Sequence, residues 1–198
     1  MNWVSNFGDI AVLLPASLGL IAFLAWFHSR QDAAAYAAAA AACLTAALFA
    51  KLALAACGGR HSLFGVESPS GHAAFAATFY GCLAALFGAG RTIGWRLALY
   101  GGAAALILLI GASRVALGAH NAREVGAGVL IGAMSIALFN VLRVKSERLE
   151  LTSRTFVRMS PFAALYAVCL LLLADHWTIE PFIDSIAAQV GANMHLCR

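Results

Sequence analysis

The stretch AAAYAAAAAACLTAALFAKLALAAC, residues 33–57, runs for 25 residues with a single charge, Lys51. A helix needs ~20 mostly apolar residues to cross a bilayer. On either side lie five more apolar runs, at about 10–27, 73–90, 97–112, 125–142 and 156–174. The runs are continuous and rich in Ala and Leu, whereas a membrane β-barrel alternates apolar and polar residues in ~10-residue segments. The expected fold is therefore all-α: a polytopic membrane protein with six transmembrane helices in one bundle. The many Ala residues of the second run suit close helix packing.

Composition agrees. The chain is 62% hydrophobic and 11% charged, against ~25% charged in soluble domains, and its mean hydropathy is +0.84. This excludes a disordered chain, a nucleic-acid-binding domain and an ordinary cytosolic enzyme. With no internal repeat or linker, residues 1–198 read as one integral-membrane domain. No basic segment precedes the first run, which carries Asp9 before it instead, so that run is expected to remain as a span rather than act as a cleaved leader.

Six spans place both termini on one side, together with the loops 58–72 and 113–124. The opposite side carries Arg30, Arg91, Arg96, Arg143, Lys145, Arg148, Arg154 and Arg158, eight of the 13 basic residues. The positive-inside rule makes that side cytoplasmic, and both termini periplasmic. Trp3, Trp26, Trp95 and Trp177 fall near span ends, as an interfacial aromatic belt would place them. The tail after Trp177 has two readings, a short helix on the outer membrane surface or a frayed end. The five Cys show no metal-binding spacing. Cys43, Cys82 and Cys169 are expected to pack within spans. Cys57 and Cys197 share the periplasmic side, where either a disulfide or two free thiols fit.

Against the charge bias, Lys51, Arg60, Arg114 and Arg123 gather at the periplasmic side with His61, His72, His120, Glu67 and Glu124. Lys51 lies inside an apolar span, where an ionisable group is costly and marks function unless its stem snorkels to the interface. Pro69-Ser70-Gly71-His72 opens the third run. Pro and Ser suit a helix start, Gly71 admits a close ligand, and a helix N-terminus attracts phosphate. His72 would sit beside such an anion as a proton donor, or be a plain interfacial histidine. His120 and Glu124, four apart, share a helix face. A carboxylate on one imidazole nitrogen leaves the other as nucleophile or base; a purely structural pair is the alternative. Arg114 brings a guanidinium suited to phosphate. Gly58-Gly59 is expected to end the second helix, letting Arg60 fold back from a loop. Together these groups suit phosphoryl chemistry.

The residues resemble the type-2 phosphatidic acid phosphatase superfamily, with its pattern Lys-x6-Arg-Pro, Pro-Ser-Gly-His and Ser-Arg-x5-His-x3-Asp. Residues 69–72 match the second block in full. Ser113, Arg114 and His120 match the third, with Glu124 where the family has Asp. The first block departs: Lys51 and Arg60 are two residues further apart, and His61 replaces Pro. The resemblance implies that His120 attacks phosphorus, Glu124 orients it and His72 protonates the leaving oxygen. Lys51, Arg60, Arg114 and the backbone at Ser70 and Gly71 would hold the phosphate, with His61 as an accessory group. It implies no metal and no cofactor.

The implied activity is hydrolysis of a lipid phosphate or diphosphate at the periplasmic face of a bacterial inner membrane. The partners are then the lipid substrate and the bilayer. Polyprenyl diphosphate, phosphatidylglycerol phosphate, phosphatidic acid and the 1-phosphate of lipid A are the candidate substrates, the first favoured for so small a protein. A lipid phosphotransferase with the same site is the alternative. An intramembrane serine protease using Ser70 and His120, and a non-catalytic lipid-phosphate carrier, stand further off. The protease gives the cations no role, and the carrier gives none to the His–Glu pair.

Overall fold

The computed structural model describes residues 2–56, 66–143 and 153–172, with Leu149 and Ser185. Among the described residues there are seven helices: α1 Asn2–Asn6, α2 Ile10–Phe27, α3 Arg30–Ala56, α4 Gly71–Gly88, α5 Ile93–Ala116, α6 Ala122–Leu142 and α7 Ser153–Leu172. Five helical segments are long and apolar enough to cross a membrane: Trp3–Phe27, Arg30–Leu54, Gly71–Gly88, Ile93–Ala116 and Ala122–Leu142. The apolar part of α7, Val157–Leu172, is shorter. Each of the six apolar runs is thus helical over nearly all of its described residues, five of them at spanning length.

The ends differ from the apolar runs in a consistent way. Helix α5 extends to Ala116 and includes Ser113 and Arg114, and α6 begins at Ala122, so Glu124 lies in its first turn. The Ser113 hydroxyl donates to the Ile110 carbonyl at 2.7 Å, which satisfies a polar side chain inside the helix. Reading by hydropathy trims such polar turns.

Helix α4 is the centre, touching α2, α3, α5 and α6, while α7 packs on α2. From Gly71 to Phe79 every residue of α4 is buried. Its face toward α6 is Ala73, Ala74 and Ala77, and α6 answers with Gly128 and Gly132. A Cβ on Gly128 would run into the Ser70 carbonyl oxygen, and one on Gly132 would lie 2.6 Å from the Ala74 oxygen. Backbones this close are the small-residue packing of membrane helices. Phe75, Phe79 and Leu86 of α4 join Leu13, Phe23 and Leu24 of α2 and Tyr36 of α3 in one apolar core. Tyr36 shares a 2.7 Å hydrogen bond with Ser17, so its buried hydroxyl is satisfied.

The two ends of the bundle differ chemically. At one end Asp32, 1% exposed, accepts bonds from Arg143 Nε at 3.2 Å and Nη2 at 3.3 Å, with His28 Nε2 at 3.1 Å. Arg143 also lies over the Phe139 ring. The other end gathers the start of α2, the end of α3, the start of α4, the end of α5 and the start of α6, and with them the candidate site residues. Trp3, Trp26 and Trp95 are exposed near helix ends. Trp177, Cys57, Cys197 and the tail apart from Ser185 lie outside the described residues.

Candidate active site

The spacing of the third block has a local cause. Helix α5 stops in a Schellman turn: Gly118 takes φ 69°, its N–H donates to Val115 O at 3.0 Å, and the Ala119 N–H donates to Arg114 O at 3.1 Å. The His120 N–H also reaches Arg114 O, at 3.4 Å. Asn121 then caps α6, its Oδ1 accepting from Arg123 N at 2.9 Å and Glu124 N at 3.0 Å. Glu124 completes a capping box by accepting from Asn121 N at 3.0 Å. Five residues between Arg114 and His120 are therefore what a helix stop requires before the next cap.

The Glu124 carboxylate is the hub. Its Oε2 takes the His120 Nδ1 contact at 3.1 Å besides the Asn121 N–H. Its Oε1 accepts the N–H groups of Glu67 and Ser68, both at 3.2 Å. Its backbone oxygen accepts the Ser70 N–H at 3.0 Å. One residue thus orients the histidine, caps its own helix and anchors the loop that enters α4. Glutamate at helix position N3 suits the capping-box part of this task. With Nδ1 turned to the carboxylate, Nε2 is the nitrogen left for chemistry.

At the start of α4, Ser70 Oγ faces the Ala73 N–H at 3.4 Å and Ser70 O accepts from Ala74 N at 3.0 Å. The first-turn N–H of Gly71 has no carbonyl one turn back to receive it. The Ser70 N–H is engaged by Glu124, so Gly71 is the better placed of the two for an anion. His72 is buried, and its Nε2 lies 3.6 Å from Asp9 Oδ2. Lys51 is 7% exposed. Lys51, His72 and Asp9 line one cavity of about 60 Å³, whose other walls include Leu44, Leu48 and Phe75. Lys51 is therefore enclosed within the bundle rather than extended to its surface. Arg114 is buried at the end of α5, and its Nη1 donates to Ser5 Oγ at 3.2 Å.

The structure brings Lys51, Gly71 and His72 around one cavity, and ties Ser70, His120 and Glu124 together through hydrogen bonds. Arg114 joins them through the turn before His120. Arg60 and His61 lie outside the described residues. Sequence reasoning missed three participants. Asn121-x-x-Glu124 was open to reading as a capping box. Ser5 and Asp9 had no such signal, since nothing local ties the N-terminal residues to α4 and α5.

Residues 16–148 match the PAP2 superfamily. The chain belongs to that superfamily. A relative from Klebsiella pneumoniae, "Uncharacterized 22.5 kDa protein in cps region", is 31% identical over 206 residues, covering 96% of this chain and 92% of its own length. No solved structure matches the chain. PAP2 proteins are phosphatases acting on phosphate esters, and with its long apolar helices this member is an integral membrane protein. The PAP2 match takes in every site residue from Lys51 to Glu124 but begins after Ser5 and Asp9.

Proposed function

We propose that this PAP2 protein is a metal-independent lipid phosphatase of the bacterial inner membrane. It has six spans, and both termini and the site face the periplasm. The carrying observation is the Glu124 carboxylate, which holds His120 by Nδ1 and the approach to Pro69-Ser70-Gly71-His72 by two backbone N–H groups. His120 Nε2 attacks phosphorus, His72 gives its proton to the leaving oxygen, and water then cleaves the phosphohistidine. Lys51, Arg114 and Arg60 hold the phosphate oxygens with the Gly71 N–H, and His61 assists.

An amphiphile suits the cavity, whose polar residues Lys51 and His72 adjoin Leu44, Leu48 and Phe75. The arginines at the Asp32 end of the bundle support the orientation. Polyprenyl diphosphate is the favoured substrate, ahead of phosphatidylglycerol phosphate, phosphatidic acid and lipid A 1-phosphate. Ser70 serves as a helix cap, which favours this reading over a serine protease.

The test is phosphate release by purified protein in detergent with EDTA, across those four lipids, with His120→Ala alongside. Release that resists EDTA and disappears in the variant is expected. Transfer of the phosphoryl group to an added acceptor without release of phosphate would point to a phosphotransferase, and release that survives His120→Ala would remove the phosphohistidine.

A further inference from the structure

The segment before α2 is fastened to the site end at three places. Ser5 accepts from Arg114 at 3.2 Å, and Phe7 O accepts from the Tyr80 hydroxyl at 2.8 Å. Gly8 has no room for a side chain: a Cβ there would lie 2.6 Å from Ile110 Cγ2 and 3.6 Å from His72 Cβ. Tyr80 is itself held by Tyr166 of α7 at 2.7 Å. These contacts leave Asp9 little freedom. Its Oδ1 caps α2 by accepting from Ala11 N at 2.8 Å, and its Oδ2 is turned to His72 Nε2 at 3.6 Å. Both side chains are buried, and both line the cavity that holds Lys51.

A carboxylate buried in an apolar bundle is costly unless paired. A helix cap alone would be served as well by Ser or Asn, which carry no charge. The charge at position 9 therefore calls for a second reason, and His72 supplies it. At 3.6 Å the contact is longer than a hydrogen bond, but it sets a carboxylate oxygen directly against the imidazole nitrogen.

We infer that Asp9 is the positioning residue of His72, holding its imidazole in the orientation that presents a proton to the leaving oxygen. The inference rests on the phosphatase reading above. It gives the site two carboxylate–imidazole pairs, Glu124 with the nucleophile and Asp9 with the proton donor. As the lone pair of His120 Nε2 forms the bond to phosphorus, the bond from phosphorus to the leaving oxygen breaks and its electron pair stays on that oxygen. The His72 proton passes to the same oxygen. When water later attacks the phosphohistidine, the N–P pair returns to His120 and one water proton returns to His72. Asp9 exchanges no proton in these steps and touches neither substrate nor phosphorus.

The test uses Asp9→Asn and Asp9→Ser in the full chain, since both keep a good N-cap and both remove the charge. Three esters are compared: 4-nitrophenyl phosphate, phenyl phosphate and didecanoyl phosphatidic acid in detergent. The nitrophenolate departs without a proton, whereas the alkoxide of the lipid needs one. General acids contribute about 10²–10⁴-fold. Both variants are expected to lower kcat on the lipid by roughly 10–100-fold, with little change in KM, and to leave 4-nitrophenyl phosphate within about threefold. Phenyl phosphate should fall between. Equal losses on all three esters, or no loss on any, would overturn the inference.

A second readout needs no turnover. In protein labelled with 15N-imidazole histidine, the His72 resonance, assigned by its absence in His72→Gln, should shift in Asp9→Asn while that of His120 stays. An unmoved His72 resonance overturns the pairing. If the wild type cleaves none of the esters, the phosphatase reading falls, and the spectrum still decides whether Asp9 holds His72.

Discussion

The Ser70 N–H donates to the Glu124 carbonyl oxygen at 3.0 Å, so the start of α4 is hydrogen-bonded to the first turn of α6. His72 is two residues from one partner, and His120 is four from the other. The two halves of the site are thus held as one unit by backbone, before any side chain takes part.

Glu124 is expected to tolerate no isostere. Glu124→Gln keeps the shape but presents an amide N–H₂ to groups that are themselves donors. Loss of the orienting carboxylate in a comparable pair costs up to ~10⁴-fold. Phosphate release should fall by about 10²–10⁴-fold. Glu124→Asp retains the charge but is one methylene short of serving His120 and the 67–68 backbone together, so a smaller loss is expected. Rapid-quench trapping of the phosphoenzyme would show the deficit in its formation.

Gly128 faces a backbone atom, which does not yield as a side chain does. Gly128→Ala should push Ser70 away from α6 and destabilise the fold by about 1–3 kcal/mol, the usual cost of overpacking. Activity should drop with it. Gly101→Ala is the control, since a Cβ at Gly101 meets nothing within 4 Å. Melting temperature and phosphate release, measured on both, should change for the first and not for the second.

At the opposite end, Arg143→Ala removes both guanidinium bonds from the buried Asp32 carboxylate while its contact with His28 stays. Breaking a buried ion pair costs about 3–5 kcal/mol. Thermal stability in detergent should fall by an amount of this order, while kcat of the folded fraction is expected to stay near the wild type. A collapse of kcat without loss of stability would mean that the two ends communicate.

Activity should follow a bell-shaped pH profile. His120 must be neutral to attack, so protonation removes activity on the acid side. His72 must carry a proton to give, so its loss removes activity on the alkaline side. In His72→Gln the alkaline limb should flatten while the acid limb persists. A profile flat from pH 5 to 9 in the wild type would contradict this division of roles.

The helices were legible because apolar runs of this length have few alternatives in water or lipid. Their ends were not. The apolar runs stop short of Ser113, Arg114 and Glu124, which belong to helical turns, because polar residues at a helix end satisfy themselves through caps and back-bonds. The contact of His120 with Glu124 was legible from their spacing, but they do not share a helix face: His120 lies in the turn before the Asn121 cap, and Glu124 reaches back to it from the first turn of α6. The roles of Asp9 and Ser5 were not, because they arise where the N-terminal segment meets α4 and α5. An acid ahead of the first apolar run reads equally as a topology signal or as a cap. Lys51 was visible as an anomaly in its span, and only the fold shows that it shares a cavity with His72.

The turn between α5 and α6 is self-sufficient in a way the rest of the site is not. The Gly118 stop, the Asn121 cap and the Glu124–His120 contact are all made within a few residues of chain. Grafted as a hairpin onto another helical scaffold, this piece should bring its oriented imidazole with it. The His72 half cannot be transplanted so simply, since its surroundings come from α2, α3 and α6. An engineer could reprogram this protein by keeping the hairpin intact and varying the N-terminal residues and α3 around it.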